Sequence, residues 1–216
     1  MAKFAMTVRI AVFTLSAGLL TYTVLLTRSE MKWKRLAGKS LAGQTLKVLP
    51  EYDKLYPLLG KNGLFLYNHA AELHKAKQYE KSIAIFELCT RYYNDMDVQM
   101  LLADNYKELG KYKEAIQCLK LASAMCPSRF MPLYELVSVY DSADRKDDAL
   151  ALAKKIIDKE VKIPSFTVTA IKDEMRQLLE ALETPNGQKR DNLLHAEPVN
   201  DDIRQGEMPH GTALPP

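Results

Sequence analysis

The chain is poor in the residues that support redox, metal or nucleic-acid chemistry. Its 216 residues include one Trp and three Cys, and a net charge of +3 is too small to indicate a nucleic-acid partner. The cysteines are Cys89, Cys118 and Cys126. An odd number without a paired spacing argues against a disulfide framework. Cys89 and Cys118 fall at positions typical of small buried side chains in a reducing compartment.

The sequence also lacks catalytic motifs. It has no GxGxxG or GxxxxGK[ST] stretch for phosphates and no GxSxG turn for a serine nucleophile. His69 and His74 are five residues apart, a spacing that fits neither one helical face nor an HExxH zinc site. His195 and His210 stand near the C-terminus. We therefore predict no catalytic site, no metal site and no cofactor, and we expect that the chain is not an enzyme.

One long apolar run is present near the N-terminus. No charged residue interrupts Ile10–Leu26, which as a helix covers about 26 Å at about 1.5 Å per residue. Ala5–Val8 extend it toward the bilayer core thickness of about 30 Å, provided that Arg9 reaches the headgroups. A cleaved signal peptide is the main alternative, but Thr27–Glu30 contains no convincing small-x-small site. We predict an uncleaved transmembrane helix within residues 1–28.

Positive charge is concentrated on the C-terminal side of this run. Lys3 and Arg9 precede it, whereas a larger group of basic residues follows it. The positive-inside rule then places the rest of the chain in the cytoplasm. The basic group, with a tryptophan among its members, is typical of a segment that touches anionic headgroups. The predicted membrane-interface residues are Arg28, Lys32, Trp33, Lys34 and Arg35.

Residues 96–127 follow the pattern of a repeat made of two antiparallel helices. Tyr106 belongs to the apolar face of the first helix, and Gly110 suits the left-handed conformation at its end. Ala115 and Ala122 in the second helix are small, as is required where two helices approach closely. A proline at position 127 ends the second helix. The segment resembles a tetratricopeptide (TPR) repeat, whose period is about 34 residues.

The same pattern recurs on both sides of this segment. Ser82 stands one repeat before Ala115, and Ala149 stands one repeat after it. We place repeats at 63–95, 96–129 and 130–163. Pro50 is expected to bend or interrupt the second helix of a degenerate repeat at 29–62. That degenerate repeat retains Gly43, Val48, Tyr52 and Leu55.

A helix with one apolar face follows the repeats. Ser165 suits its N-cap, and Ile171 and Met175 belong to an apolar stripe. This helix, residues 164–183, is expected to cover the last repeat. Residues 184–216 lack apolar periodicity and are rich in proline, which predicts a disordered tail. The predicted fold class is all-α: a TPR α-solenoid of about three clear repeats, one degenerate repeat and a capping helix, after a single N-terminal transmembrane helix.

A stacked TPR array presents a concave face built from the first helix of each repeat. Tyr67, Met100 and Tyr134 occupy the same position in three successive repeats, so stacking should align them. Aromatic and methionine side chains are common anchors of protein interfaces. The alternative is that these residues are solvated or take part in packing. The predicted partner-binding residues are Tyr67, His74, Met100, Asp104, Lys107, Tyr134 and Asp141.

Five short motifs carry a second resemblance: Lys32–Arg35, Tyr52–Pro57, Asn62–Leu66, Met125–Phe130 and Val161–Ser165. Together they resemble the C-terminal repeat domain of O-antigen ligase-like membrane proteins of Bacteroides-type bacteria. In that family the last helix of a polytopic membrane domain leads into the repeats. The resemblance implies a truncated, split or detached accessory form, because this chain has one such helix and lacks the membrane domain that carries glycan transfer.

These observations predict a membrane-anchored TPR scaffold that mediates protein–protein interaction without catalysis. The implied partner is a protein, and a polytopic membrane protein is one candidate. The alternative function is the detached or truncated C-terminal regulatory part of an O-antigen ligase- or polymerase-like glycan enzyme. The predicted location is the bacterial inner membrane, with a single pass and with the repeats on the cytoplasmic side.

Overall fold

The computed structural model describes residues 2–41 and 45–183, and all regular structure in these ranges is helical. The chain divides into two compact units, and the boundary in the sequence lies between Asn94 and Asp95. Unit 1 contains α1 (Ala2–Leu41), α2 (Thr45–Leu59), α3 (Gly63–Lys75) and α4 (Tyr79–Cys89). The predicted tail, 184–216, and Gly43 of the degenerate repeat lie outside the described residues.

Helix α1 is one continuous helix of 40 residues and extends beyond the predicted transmembrane segment, residues 1–28. Its apolar N-terminal part is exposed, and within the described residues it supplies the one helix long and apolar enough to cross a membrane. Beyond this part, Trp33 and Leu36 are buried. The residues that join the two parts are mostly good helix formers, which explains why the helix does not break. The predicted membrane helix therefore continues directly into the core of unit 1.

Helix α2 contains Pro50 and Pro57 and still remains helical from Thr45 to Leu59. Each proline removes one backbone donor, and Pro50 was expected to bend or interrupt the helix. Val48 and Tyr52 are fully buried on the inner face of α2, and the Tyr52 ring lies 5.6 Å from the ring of Phe65 in α3. This packing offsets the lost hydrogen bonds, so the predicted interruption at Pro50 is not observed.

Small residues allow α3 and α4 to pack closely. Ser82 Oγ donates a hydrogen bond of 2.8 Å to the carbonyl oxygen of Ala70, and both residues are fully buried. At the other end of the pair, a Cβ atom on Gly63 would lie 2.4 Å from Tyr93 Cβ, so only glycine fits there. Cys89 is a buried free thiol whose Sγ lies 3.3 Å from the carbonyl oxygen of Gly63, which agrees with its predicted role as a small core residue.

Unit 2 contains α5 (Met96–Glu108), α6 (Tyr112–Met125), α7 (Met131–Ser142), α8 (Lys146–Asp158) and α9 (Phe166–Glu183). Helix α5 packs against α6, and α7 packs against α8. Ala115 and Ala122 of α6 are fully buried, as is Ala153 of α8. These helix pairs follow the paired pattern that the repeats predicted.

The turn within each pair uses one residue with left-handed backbone geometry. In the α5–α6 turn this residue is Gly110, with φ of 69°, as the sequence predicted. Lys77 takes the equivalent place in the α3–α4 turn, with φ of 57°, and Asp144 takes it in the α7–α8 turn, with φ of 54°. In all three turns the residue after the left-handed one donates a backbone hydrogen bond of 2.8 or 2.9 Å to a carbonyl oxygen near the end of the first helix. The turn geometry therefore repeats although the residue type does not.

Helix α9 covers α8 through the predicted apolar stripe. Ile171, Met175 and Leu178 are buried. Ser165 Oγ accepts a hydrogen bond of 3.2 Å from the Val168 backbone N–H, so it caps the helix as predicted.

Leu119→Ala should destabilise the protein strongly. Leu119 is 2% exposed in α6, and removing its buried carbons leaves a cavity that costs about 2–5 kcal/mol of unfolding free energy. Leu121, which is 43% exposed on the same helix, offers a matched control. Leu121→Ala should change stability by no more than about 0.5 kcal/mol. Denaturant unfolding followed by circular dichroism measures both, and equal effects would contradict this assignment of the core.

Candidate functional site

The first helices of two successive pairs in unit 2 carry predicted partner-binding residues, and all of these residues are partly exposed. Met100, Asp104 and Lys107 lie on α5, and Tyr134 and Asp141 lie on α7. Lys107 Nζ donates a hydrogen bond of 2.9 Å to Ser138 Oγ, which joins the two helices directly. We call the set Met100, Asp104, Lys107, Tyr134 and Asp141 the first-helix face of unit 2. The structure thus brings five of the seven predicted partner-binding residues into one unit.

Within this face, Tyr134 is held by helix α9. A hydrogen bond joins its hydroxyl group to the half-buried carboxyl group of Glu174. Burial raises the pKa of Glu174, and the bond from Tyr134 opposes that rise. Glu174 Oε2 has no hydrogen-bond partner in the described part of the chain. A partner at this position would therefore contact the ring of Tyr134, because its hydroxyl group is already engaged.

The two predicted partner-binding residues in unit 1 have packing contacts. The ring of Tyr67 meets the rings of Phe86 and Tyr93 edge-on, with centroid distances of 6.1 and 6.2 Å. The His74 ring lies 5.8 Å from the ring of Tyr79. Both Tyr67 and His74 remain partly exposed, so they combine a packing role with an accessible edge.

The predicted membrane-interface residues separate into two groups. Trp33 is 7% exposed, and its ring meets the Phe65 ring edge-on at a centroid distance of 6.3 Å. This position differs from the expected contact with headgroups, because the apolar core of unit 1 buries the indole instead. Arg28, Lys34 and Arg35 are exposed on α1.

Lys32, the remaining residue of that set, forms an ion pair. Its Nζ atom lies 2.6 Å from Glu51 Oε2 on α2, and Lys54 Nζ lies 2.6 Å from the other oxygen of the same carboxylate. Hydrogen bonds from Lys32 and Lys54 lower the pKa of Glu51 to about 2. Lys32 therefore ties α1 to α2.

A cavity that the sequence did not reveal lies between α2, α3 and α4. Its volume is about 500 Å³, and its walls are mainly aliphatic. We call it the His69 pocket. The residues that line it are Leu49, Pro50, Asp53, His69, Leu73, Gln78, Lys81, Ala84 and Ile85.

His69 belongs to the core side of α3. It is 3% exposed and stacks on Tyr52, with a centroid distance of 5.4 Å and an interplanar angle of 14°. Its Nε2 atom lies 3.3 Å from Asp53 Oδ1, but neither ring nitrogen forms a well-aligned hydrogen bond with the described residues. A buried polar atom without such a bond costs about 1–3 kcal/mol. The spacing of four from Phe65 to His69 and on to Leu73 was the pattern that could have revealed this buried position.

Comparison with known proteins supports the repeat assignment. The tetratricopeptide repeat family model matches residues 97–129. A search of curated proteins gives no match. The family match and the helical architecture confirm the predicted fold class, an all-α fold of TPR-like helix pairs with a long apolar N-terminal helix.

Several solved structures share this fold at low sequence identity. A crystal structure of MamA is 17% identical in sequence. The match covers 73% of this chain and 86% of the MamA chain, with a TM-score of 0.56. The structure of MamA 41-end from Desulfovibrio magneticus RS-1 is 19% identical. The match covers 59% of this chain and 72% of that chain, and its TM-score is also 0.56. The structure of YrrB, a TPR protein with an unusual peptide-binding site, is 15% identical. The match covers 78% of this chain and 87% of that chain, and its TM-score is 0.52.

His69 should make the stability of unit 1 depend on pH. Burial lowers the pKa of His69 in the folded protein, and the nearby Asp53 carboxylate opposes the shift. The unfolded chain therefore binds more protons just below the ordinary histidine pKa of about 6.5. Stability should fall as the pH drops below about 6.5, and His69→Phe should reduce this loss. Denaturant unfolding of both proteins between pH 5 and pH 8 tests the effect, which parallel stability curves would contradict.

Proposed function

We propose that this protein is a membrane-anchored TPR scaffold that binds a protein partner through the first helices of its repeats. The observation that carries the proposal is the first-helix face of unit 2. There the bond from Lys107 to Ser138 joins α5 to α7 beside partly exposed methionine, tyrosine and aspartate side chains. Such a mixture of anchors and charged groups suits a protein interface. Tyr67 and His74 supply the equivalent positions of unit 1.

The ring of Tyr134 and the side chain of Met100 are the proposed anchors of this interface. Lys107 and Asp104 would add polar selectivity, since charged groups at an interface contribute more to specificity than to affinity. The structural match to YrrB supports this proposal. YrrB is a TPR protein with an unusual peptide-binding site, so a fold of this kind can accept a peptide.

The exposed apolar part of α1 is the proposed membrane anchor. A helix with a fully exposed apolar surface is costly in water and is stabilised by lipid. Arg28, Lys34 and Arg35 remain exposed beyond this part and are the proposed contacts with anionic headgroups. The excess of positive charge favours the cytoplasmic side for the two units. We propose the bacterial inner membrane as the location.

We further propose that the chain acts by binding and not by catalysis. The regulatory part of an O-antigen ligase-like glycan enzyme remains the second hypothesis, and in that case the partner is a polytopic membrane protein. It rests on the short sequence motifs alone, since the family match and the structural matches add no support for it. Two motif residues, Trp33 and Tyr52, are buried in unit 1, so part of the resemblance reflects core packing.

Met100→Ala and Tyr134→Ala should each weaken capture of the partner by about fivefold or more. Interface anchors of this type contribute about 1 kcal/mol or more when they are truncated. The partner is first identified by cross-linking and mass spectrometry in membranes that contain the full chain, and its affinity is then measured with purified proteins in nanodiscs.

Two further variants serve as controls for this measurement. Tyr134→Phe keeps the ring and loses only the bond to Glu174, so it should retain most of the affinity. Tyr92→Ala removes an exposed tyrosine that follows α4 and lies outside the predicted surface. Undiminished capture by Met100→Ala and Tyr134→Ala would refute the interface. If capture is lost only when the apolar part of α1 is exchanged for an unrelated helix, the second hypothesis is favoured.

The anchor makes a separate prediction. The full chain should stay in the membrane pellet after an alkaline carbonate wash, because the proposed transmembrane helix is held by its apolar surface. In intact spheroplasts the units should resist added protease, as a cytoplasmic location requires. Release by carbonate would disprove the anchor, and digestion in intact spheroplasts would disprove the orientation.

A further inference from the structure

The His69 pocket is separate from the proposed partner-binding positions. Residues 67 and 69 differ by about 200° around a helix with 3.6 residues per turn, so Tyr67 and His69 occupy opposite sides of α3. The pocket lies within unit 1, and its walls come from three consecutive helices. Its volume of about 500 Å³ is in the range of small-ligand sites and exceeds what one bulky side chain needs.

The apolar part of the wall defines what the centre of the pocket accepts. Leu49 and Pro50 belong to α2, Leu73 to α3, and Ala84 and Ile85 to α4. These aliphatic side chains come from three helices and form the apolar part of the wall. They suit a bulky aliphatic or aromatic side chain, which gains free energy by leaving water.

The polar groups of the wall carry opposite charges. Asp53 is an exposed carboxylate on α2, beside His69. Lys81 is exposed on α4, and its Nζ donates a hydrogen bond of 3.0 Å to Gln78 Oε1. An ammonium group has three donors, so Lys81 retains donors for a further acceptor. The pocket thus offers an acceptor on one helix and donors on another.

The ring of His69 adds a polar group to this wall, and its nearest partner is the Asp53 carboxylate, 3.3 Å from Nε2. The imidazole is almost completely buried, and neither of its nitrogens forms a well-aligned hydrogen bond with the described residues. A neutral imidazole has one donor and one acceptor. A small turn of the ring about its stacking contact with Tyr52 would let it bond a polar group that enters the pocket.

We propose that the His69 pocket binds an extended peptide segment that inserts one bulky apolar side chain. A peptide main chain alternates N–H donors with C=O acceptors. It can donate to Asp53 and accept from Lys81 while the inserted side chain covers the aliphatic wall. A fatty acid fits this wall less well, because its carboxylate would gain from Lys81 but be repelled by Asp53. This second peptide site is independent of the first-helix face and of the partner proposed for it.

The test uses the full chain in lipid nanodiscs with isotope-labelled isoleucine methyl groups. The probes are three blocked tripeptides, acetyl-Ala-Leu-Ala amide, acetyl-Ala-Phe-Ala amide and acetyl-Ala-Gly-Ala amide. Titration with the Leu and Phe peptides should shift the Ile85 methyl resonance. The Gly peptide should bind at least about fivefold more weakly, since it lacks the inserted side chain.

Matched variants locate the binding site. Ala84→Phe should occupy part of the pocket and weaken binding of the Leu peptide by about tenfold or more, because Ala84 is an exposed residue at the pocket wall. Ala124→Phe makes the same change at an exposed position of α6 and should leave binding unaltered. Lys81→Gln keeps a polar side chain without the charge and should weaken binding by about twofold to fivefold. Circular dichroism verifies that each variant is folded.

Three results would overturn the proposal. Equal shifts with the Gly and Leu peptides would show that no side chain enters the pocket. Binding that survives both Ala84→Phe and Lys81→Gln would place the peptide elsewhere. If laurate moves the Ile85 methyl resonance and none of the tripeptides does, the pocket accepts an amphiphile and not a peptide.

Discussion

The close approach of the two helices in each pair is the constraint on which the rest of the structure depends. Ala115, Ala122 and Ala153 are fully buried at these contacts, and Ser82 replaces alanine in the α3–α4 pair. The Ser82 hydroxyl group is tolerated there because it donates to a backbone carbonyl oxygen. A larger side chain at any of these positions would separate the pair. The first helices, whose outward positions form the proposed partner surface, would then lose their support.

Much of this architecture could be predicted because it depends on residue size and on period. The small buried residues recur at a fixed spacing, and the Gly110 turn marks the end of a first helix. The turn at Lys77 could be located only by repeat register, because lysine does not favour left-handed geometry, whereas aspartate at position 144 tolerates it. The capping role of Ser165 was also predictable, since an N-cap is a local interaction.

The features that the sequence did not reveal are contacts between residues of different helices. Trp33 stands among basic residues and has the local pattern of a membrane interface, yet Phe65 of another helix determines its burial. His69 lacks a motif, and its environment is created by Tyr52 and Asp53 of α2. The bond between Tyr134 and Glu174 likewise joins α7 to α9. Periodicity identifies the buried side of a helix but not the groups that it will meet.

The continuity of α1 sets the geometry of unit 1 relative to its surroundings. A helix of 40 residues is about 60 Å long, and within the described residues it has no hinge between its exposed apolar part and the buried Trp33. In the proposed membrane-anchored form, the tilt of the apolar part would be transmitted to α2 through the Lys32–Glu51 ion pair and the buried indole. Bilayer thickness influences that tilt. The lipid composition would thus control the height and inclination at which the His69 pocket stands above the membrane surface.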